Sequence, residues 1–353
     1  MSTNFHKLSI SKITREAAKT VAITFDVPAE LAGDFKFKSG QYLTLRADIN
    51  GEDVRRSYSI CSSPNSGDLT VAVKAIENGK FSNYAYDNLK EGDVMDVMAP
   101  MGGFVLDEKA NNHLFMAAGS GITPILSMIK DIAENGNGTA TLIYGNKTAA
   151  DTIFKEEIDA LNTANSNVTV HYVYSREDSG NAVLNGRIDR AKCADLKNYI
   201  LKDAPIDGLY LCGPEEMINN AKDYFSLSTL EANQIHFELF TTPTAATEES
   251  KGGADEGINV NSNVTVIIDD EEYEFLLNTE DKDVLQAAQD MGADVPFSCK
   301  GGVCCTCRAK ILEGTAKMDL NFALEESEVE EGFILTCQAH PTSETLVVSF
   351  DEY

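Results

Sequence analysis

The first hundred residues alternate apolar and polar positions in short bursts. VAITFDV (21–27), YLTLRAD (42–48) and LTVAVKAI (69–76) carry the period of two that buries one face of a strand. Lys38-Ser39-Gly40, Asn50-Gly51, Pro64-Asn65-Ser66-Gly67 and Glu91-Gly92-Asp93 separate them as turns. Only FSNYAYDNL (81–89) reads as a helix in this stretch. Many short strands with little helix predict a closed antiparallel β-barrel over residues 1–106.

The period changes near residue 113. HLFMAA (113–118) is a continuous apolar run, followed by Gly119-Ser120-Gly121 and a helix from about Pro124 to Glu134. Strand TATLIY (139–144), a helix near 150–161, strands VTVHYVY (168–174) and GLYLC (208–212), and a helix at 214–225 follow. Strands alternating with helices predict an α/β domain with a parallel sheet over 107–240. Residues 241–257, TTPTAATEESKGGADEG, hold no large apolar side chain and read as a flexible linker. Beyond it NVTVIID (263–269) and EEYEFLL (271–277) predict a hairpin. A helix at 283–290 and short strands near 308–312, 333–336 and 345–350 complete a small α+β domain over 258–353.

Composition narrows this reading. The 353 residues suffice for two to three domains. Hydrophobic residues make 43% and charged residues 24%, ordinary for a globular chain and unlike a disordered one. No apolar run reaches the ~18 residues that span a bilayer. The N-terminal MSTNFHKLSISKITREAAK lacks the apolar core of a secretory signal, so a cytoplasmic location is expected. Fifty-six acids against 29 bases leave a net charge of −27, which argues against nucleic acid or an anionic membrane as partner. Residues 258–353 alone carry 20 acids and 5 bases. A solvated acidic surface and a face that steers a basic partner account for that excess equally well.

Eight cysteines stand at 61, 193, 212, 299, 304, 305, 307 and 337, and four of them crowd into nine residues. In a cytoplasmic chain such crowding points to metal or redox chemistry rather than a disulfide framework. Cys299, Cys304 and Cys307 give C-x4-C-x2-C, and Cys337 follows 30 positions later. This is the plant-type spacing for a 2Fe–2S cluster, in which four thiolates hold two irons. Gly301 and Gly302 let backbone N–H groups approach the sulfurs. Cys305 is the spare thiol and should point away. Zinc is the competing reading, since Cys304-x2-Cys307 is a valid half-site, but a second such pair is absent and no His lies in the loop. On these residues the tail resembles the plant-type ferredoxin domain, which implies a β-grasp fold.

Two further constellations carry chemistry. Arg56-x-Tyr58-Ser59, with Ile60 after it, ends one barrel strand, and Gly79-Lys80-Phe81-Ser82 starts the helix of that domain. A helix N-terminus is an anion site, and Ser82 there reads either as an N-cap or as a phosphate ligand. Ala118-Gly119-Ser120-Gly121-Ile122-Thr123-Pro124 joins a strand to a helix, departing from G-x-G-x-x-G by its final Pro. Leu211-Cys212-Gly213-Pro214 forms another strand–turn–helix, and Ser175-Arg176 follows a strand end. In this order the motifs resemble the ferredoxin–NADP reductase family, here fused to a C-terminal ferredoxin domain.

The resemblance runs from about residue 5 to the end and implies FAD, a 2Fe–2S cluster and NADPH, with NADH less favoured. It implies that Arg56 meets the flavin pyrophosphate and Tyr58 packs on the flavin. Ser59 should hydrogen-bond near N5, and Ser82 should hold phosphate. Ile60, Val73, Lys74, Gly79, Lys80 and Phe81 fall among the flavin contacts, and Glu238 and Phe240 close the flavin site. Gly119, Gly121, Thr123 and Pro124 then receive the nicotinamide dinucleotide. Cys212, with Gly213 and Pro214, sits beside nicotinamide C4, and Ser59 and Cys212 are the catalytic pair. Ser175 and Arg176 grip the 2′-phosphate of NADPH, although Glu177 follows at once. Cys299, Cys304, Cys307 and Cys337 are the metal ligands.

The domain order matches reductase components of oxygenases, and the Cys-Lys-Gly-Gly-Val-Cys run is similar to that of reductases serving phenylacetyl-CoA epoxidation. The expected function is transfer of electrons from NADPH through FAD and the cluster to an oxygenase component. Reductases for a ring-hydroxylating oxygenase, a desaturase or a hybrid-cluster protein remain alternatives, as does an electron-carrying or redox-sensing subunit without turnover of its own.

Overall fold

A computed structural model describes residues 4–107, 109–136, 138–202, 204–227, 230–241 and 259–352. The chain divides into two compact units, Ser2–Pro100 with Phe104–Leu239, and Phe240–Tyr353 with Met101–Gly103. Of the linker expected at 241–257, residues 242–257 lie outside the described residues.

The larger unit contains two sheets. Strands β1 (Phe5–Glu16), β2 (Thr20–Asp26), β3 (Tyr42–Ile49), β4 (Glu52–Ser59), β5 (Leu69–Lys74) and β6 (Val94–Met98) run antiparallel in the order β4-β3-β6-β1-β2-β5. A bridge between Ile60 and Val71 joins the two outer strands and closes the barrel. Closure removes the free edges that an open sheet exposes. Alternation points Leu8, Ile10, Ile23, Leu43, Leu45, Val71 and Val97 into one core. Helix α1 (Lys80–Asn88) adds Phe81 and Ala85 to it.

The second sheet is parallel. Strands β7 (Asn112–Ala118), β8 (Thr139–Asn146), β9 (Val168–Tyr174), β10 (Gly208–Cys212) and β11 (Ile235–Glu238) lie in the order β11-β10-β7-β8-β9. The connecting helices include α2 (Ile122–Asn135), α3 (Lys155–Ala164), α4 (Arg190–Leu196) and α5 (Glu215–Ser226). Helix α2 begins two residues before the expected Pro124, which is still within the first turn, where a missing N–H costs nothing. The helix expected near 150 begins only at Lys155, after a short 3-10 turn at Ala149–Asp151. Helix α4 has no counterpart among the expected elements; Asp189, whose carboxylate accepts the Lys192 N–H at 2.8 Å, is the capping signal that marks it.

The barrel and the parallel sheet share a seam along α2. Ser127 Oγ donates to the Ser62 carbonyl at 2.6 Å, and Lys130 Nζ donates to the Cys61 carbonyl at 2.8 Å. Ser39 Oγ donates to Asp131 at 2.7 Å. Ala22, Cys61 and Ala72 of the barrel are buried in the same apolar cluster as Ile125, Leu126 and Met128 of α2. These contacts fix the carboxyl edge of the parallel sheet relative to the barrel.

The smaller unit is a mixed sheet wrapped on one helix. Strands β12 (Asn261–Ile268), β13 (Glu271–Asn278), β14 (Arg308–Met318), β15 (Phe333–Leu335) and β16 (Ala339–Ser349) lie in the order β13-β12-β16-β14-β15. Only β12 and β16 pair in parallel. Helix α6 (Val284–Asp290) buries Val284, Leu285 and Ala288 against the sheet, and a short helix α7 (Glu326–Glu330) precedes β15. Among the described residues no helix is long and apolar enough to cross a membrane.

Candidate functional site

All five strands of the parallel sheet end on one edge, where ligands of such sheets bind. Register sets Glu238 beside Cys212 and Cys212 beside Ala117. Ala118 pairs with Gly145, and Asn146 with Tyr174. The sequence motifs therefore fall into one row: Glu238, Cys212, the Gly119 turn, the end of β8, then Ser175 and Arg176.

Two glycines of the G-x-G turn act differently. Gly119 has φ +56°, a left-handed conformation that glycine adopts freely. Gly121 has an ordinary φ of −62°. A Cβ there would lie 2.1 Å from the Cys212 carbonyl oxygen and 2.7 Å from the Gly213 nitrogen. Gly121 is thus required by the close approach of the Cys212-Gly213 turn, and it locks the G-x-G and Cys-Gly-Pro turns together. Thr123 Oγ1 donates to the Ser120 carbonyl at 3.1 Å, which tightens the start of α2. No side chain caps α2, so its first N–H groups suit a phosphate.

Cys212 is fully enclosed. Burial, then the charge of Glu238, pushes its thiol well above the ordinary range, so it is a neutral packing group. Burial raises the Glu238 carboxyl to about 8, opposed by a hydrogen bond from Ser59 Oγ to Oε2 at 3.2 Å. Ser59 ends barrel strand β4, so this bond joins the flavin motif to the nicotinamide row. The raised carboxyl favours its protonated form next to the Ser59 hydroxyl.

The remaining residues expected at the flavin lie on β4, just after it, on β5 and at the start of α1. The Tyr58 ring packs on Phe81 with centroids 5.6 Å apart, and burial raises its phenol. Arg56 is exposed, and its Nη1 donates to the Arg55 carbonyl at 2.6 Å. Ile60 donates its N–H to the Gln41 carbonyl at 2.8 Å, and Val73 and Lys74 end β5. Gly79 is the N-cap of α1, without a side-chain cap, and Lys80 pairs with Glu52 at 2.6 Å. Ser82 is not the N-cap; it is the third helical residue, and its oxygen accepts the Ile76 N–H at 3.3 Å. A Cβ at Gly79 would strike Ser82 Oγ at 2.3 Å, so any larger residue there displaces the Ser82 hydroxyl. Uncapped N–H groups, an exposed guanidinium and an aromatic platform fit a flavin nucleotide. Phe240 opens the smaller unit and is 42% exposed.

In the smaller unit the four expected ligands converge as two pairs. Cys304 Sγ lies 3.1 Å from Cys299 Sγ, and Cys307 pairs with Cys337. The hydrogen bond from Cys304 draws the Cys299 thiol down to about 6, opposed by burial and aided by the N–H groups of Gly301, Val303 and Cys304. Cys337 is lowered in the same way, first by Cys307, while Cys304 and Cys307 are raised. Gly302, at φ +73°, lets the loop pass the Leu320 carbonyl, where a Cβ would approach to 2.9 Å. Among the described residues no three His, Cys, Asp or Glu side chains gather around a point suited to a single metal ion. Two pairs of thiols ringed by backbone donors match the four-thiolate set that a 2Fe–2S cluster would take. Cys305 turns away and donates to the Ala323 carbonyl at 3.3 Å.

Comparison with known proteins agrees with this geometry. Residues 7–106 match an oxidoreductase FAD-binding domain, 115–223 an oxidoreductase NAD-binding domain and 266–342 a 2Fe-2S iron-sulfur cluster binding domain. The chain is 38% identical to a component of the 1,2-phenylacetyl-CoA epoxidase of Escherichia coli (strain K12), covering 99% of this chain and 98% of that protein. The chain is a member of the flavin iron–sulfur reductase family. It is also 32% identical to the 3-ketosteroid-9-alpha-monooxygenase ferredoxin reductase component of Mycolicibacterium smegmatis, over 98% of this chain and 97% of the other. Phthalate dioxygenase reductase superposes with TM-score 0.61 at 25% identity, covering 98% of each chain. An intact type IV self-sufficient cytochrome P450 monooxygenase shares the fold, with TM-score 0.71 at 20% identity; 98% of this chain matches only 41% of that one.

As a member of this family the protein is an NAD(P)H oxidoreductase with FAD, NAD(P) and 2Fe–2S domains. FAD, when bound, accepts the electron pair of a nicotinamide hydride and releases it singly to the one-electron cluster. Asn146 and Lys147, at the end of β8, belong to the same edge but escape the motifs. Their signal is position alone, immediately after a strand of a parallel sheet.

Proposed function

We propose that this reductase is the NADPH-dependent component of an oxygenase, phenylacetyl-CoA epoxidase first among them, and that it works in the cytoplasm. The full-length likeness to the epoxidase component of E. coli carries the choice of acceptor. The choice of NADPH is supported at the end of β9. Ser175 and Arg176 are exposed there, and Arg176 pairs with no carboxylate among the described residues. The Glu177 carboxylate accepts the Ala149 N–H at 2.8 Å and is thereby engaged in the turn after β8.

In this reading Ser59 and Glu238 hold a proton beside flavin N5. Arg56, Ser82 and the N-terminus of α1 hold the flavin pyrophosphate, with Gly79, Lys80 and Phe81 shaping that cradle. Tyr58 packs on the flavin, and Ile60, Val73 and Lys74 line it; Phe240 is assigned to the flavin by the family resemblance alone. Gly119, Gly121, Thr123 and Pro124 turn the backbone toward the NADPH pyrophosphate. Cys212, Gly213 and Pro214 wall the nicotinamide, and Ser175 and Arg176 take the 2′-phosphate. Cys299, Cys304, Cys307 and Cys337 hold the cluster.

Reconstitution tests the proposal. The holoprotein is mixed with the oxygenase components of phenylacetyl-CoA epoxidase, and epoxide formation is followed with NADPH and with NADH. NADPH-driven turnover is expected. No turnover by an oxygenase that works with its own reductase would refute the acceptor, and better turnover by a steroid monooxygenase would reassign it. A lower Michaelis constant for NADH would refute the nucleotide choice.

A further inference from the structure

The edge of the parallel sheet holds more positive charge than the motifs account for. Lys74 comes from barrel strand β5, yet its Nζ lies 3.7 Å from where a Gly119 Cβ would stand. Its ammonium therefore hangs over the G-x-G turn of the other sheet. Lys147 follows β8, the strand between β7, which leads into Gly119, and β9, which leads into Arg176. The Lys147 carbonyl accepts the Arg176 N–H at 2.9 Å, which ties the two strand ends together.

None of Lys74, Lys147 and Arg176 forms an ion pair with a carboxylate among the described residues. The nearby acids are engaged in the turn instead. Asp151 accepts from Thr148 Oγ1 at 2.8 Å, and Glu177 accepts from Ala149. Burial and the charge of Lys147 lower the Lys74 ammonium, while Asp151 raises it. Like charges brought to this edge by β5 and by the end of β8 repel, an arrangement that an anion between them relieves. The Asn146 side-chain nitrogen is also buried; apart from its pull on the Tyr144 phenol, it has no hydrogen-bond partner within 3.5 Å.

We infer that Lys147, with Lys74 opposite it and the Asn146 amide beside it, forms a second phosphate-holding arm that grips the pyrophosphate of the nicotinamide dinucleotide. The row of strand ends supplies the geometry. From β10 at Cys212 to β9 at Arg176 is three strand spacings, about 14 Å, on the scale of an extended dinucleotide. The nicotinamide lies at Cys212, the 2′-phosphate at Arg176, and the pyrophosphate falls on the Gly119 turn and the end of β8 between them. Because the pyrophosphate is common to NADPH and NADH, this arm serves affinity and leaves selectivity to Arg176. The inference rests on the nicotinamide site proposed above.

Titrating the oxidised holoprotein with NADP+ and with NAD+, read by the flavin difference spectrum, tests it. Lys147→Gln is expected to weaken both nucleotides by about the same factor, roughly tenfold. Lys147→Arg is expected to restore most of that loss, and raised salt is expected to weaken the wild type more than the glutamine variant. Unchanged affinity for both nucleotides overturns the arm. Loss for NADP+ alone also overturns it, by moving Lys147 to the 2′-phosphate. A wild-type holoprotein that binds neither nucleotide overturns the nicotinamide site itself and the arm with it.

Discussion

Gly121 offers the sharpest single perturbation. An alanine methyl at that position would meet three backbone atoms: the Cys212 oxygen at 2.1 Å, the Cys212 carbon at 2.4 Å and the Gly213 nitrogen at 2.7 Å. Real Cβ atoms essentially never come within 3.0 Å of a neighbour, so one turn must retreat by about 1 Å. None of the three can swing aside as a side-chain end would. Overpacking of this kind costs about 1–3 kcal/mol of stability. Its effect on chemistry is larger, because the displaced turn carries Cys212 and Gly213. A misplacement of about 1 Å can slow a positioned reaction about a hundredfold.

Gly119→Ala is the matched control. Its backbone is left-handed, which costs a side chain about 1–2 kcal/mol, but only the flexible end of Lys74 stands nearby, at 3.7 Å. Anaerobic stopped-flow reduction of the bound flavin by NADPH separates the two. Gly121→Ala should be about a hundredfold slower than wild type with full flavin content, and Gly119→Ala should stay within about tenfold. Equal rates for Gly121→Ala and wild type, or a slower Gly119→Ala, would refute the claim that Gly121 sets the spacing of the two nicotinamide motifs.

Other expectations follow from the same geometry. Ser59→Ala should slow flavin reduction about tenfold or more in the same stopped-flow assay, with NADP+ affinity retained, if the hydroxyl acts at the flavin as proposed. Glu238 carries a carboxyl raised to about 8 from its ordinary value of 4.5, so the folded protein binds this proton more tightly than the unfolded chain. Its contribution to stability falls as pH rises between those two values and is level above them. Glu238→Gln should therefore gain on wild type across that window, by about 2 kcal/mol once partial exposure is allowed for, read from holoprotein melting between pH 5 and 9. Arg176→Ala should raise the Michaelis constant for NADPH about tenfold more than that for NADH, and equal effects would remove the basis for the nucleotide choice. Cys305→Ser should leave iron and acid-labile sulfide unchanged, since that thiol faces the Ala323 carbonyl, whereas Cys304→Ser should lose most of both.

Most of the fold is legible in the chain because both periods are regular. Alternation in 21–27 and 69–76 marks barrel strands, and the apolar runs at 113–118 and 208–212 mark strands buried on both faces. The 2Fe–2S domain is legible because four thiols at fixed spacing are a strong local signal. What stays hidden depends on contacts distant in sequence. Gly121 looks like a partner of Gly119, but its role is set by a carbonyl 91 residues away. Ser82 looks like an N-cap, and Gly79 takes that place because Ser82 accepts from Ile76. Lys74 and Lys147 come from different sheets, and no local pattern brings them together. Helix α4 escapes the pattern because Arg190–Leu196 is short and weakly periodic.

The central claim is that hydride equivalents enter at the Cys212–Ser59–Glu238 row and leave one electron at a time through the four thiols. Its most direct test is anaerobic mixing of the holoprotein with one equivalent of NADPH, with flavin and cluster absorbance followed together and the cluster checked by electron paramagnetic resonance. Bleaching of the flavin followed by reduction of a 2Fe–2S centre is predicted. A flavin that bleaches while the iron stays fully oxidised, or a protein in which neither responds, would contradict the account.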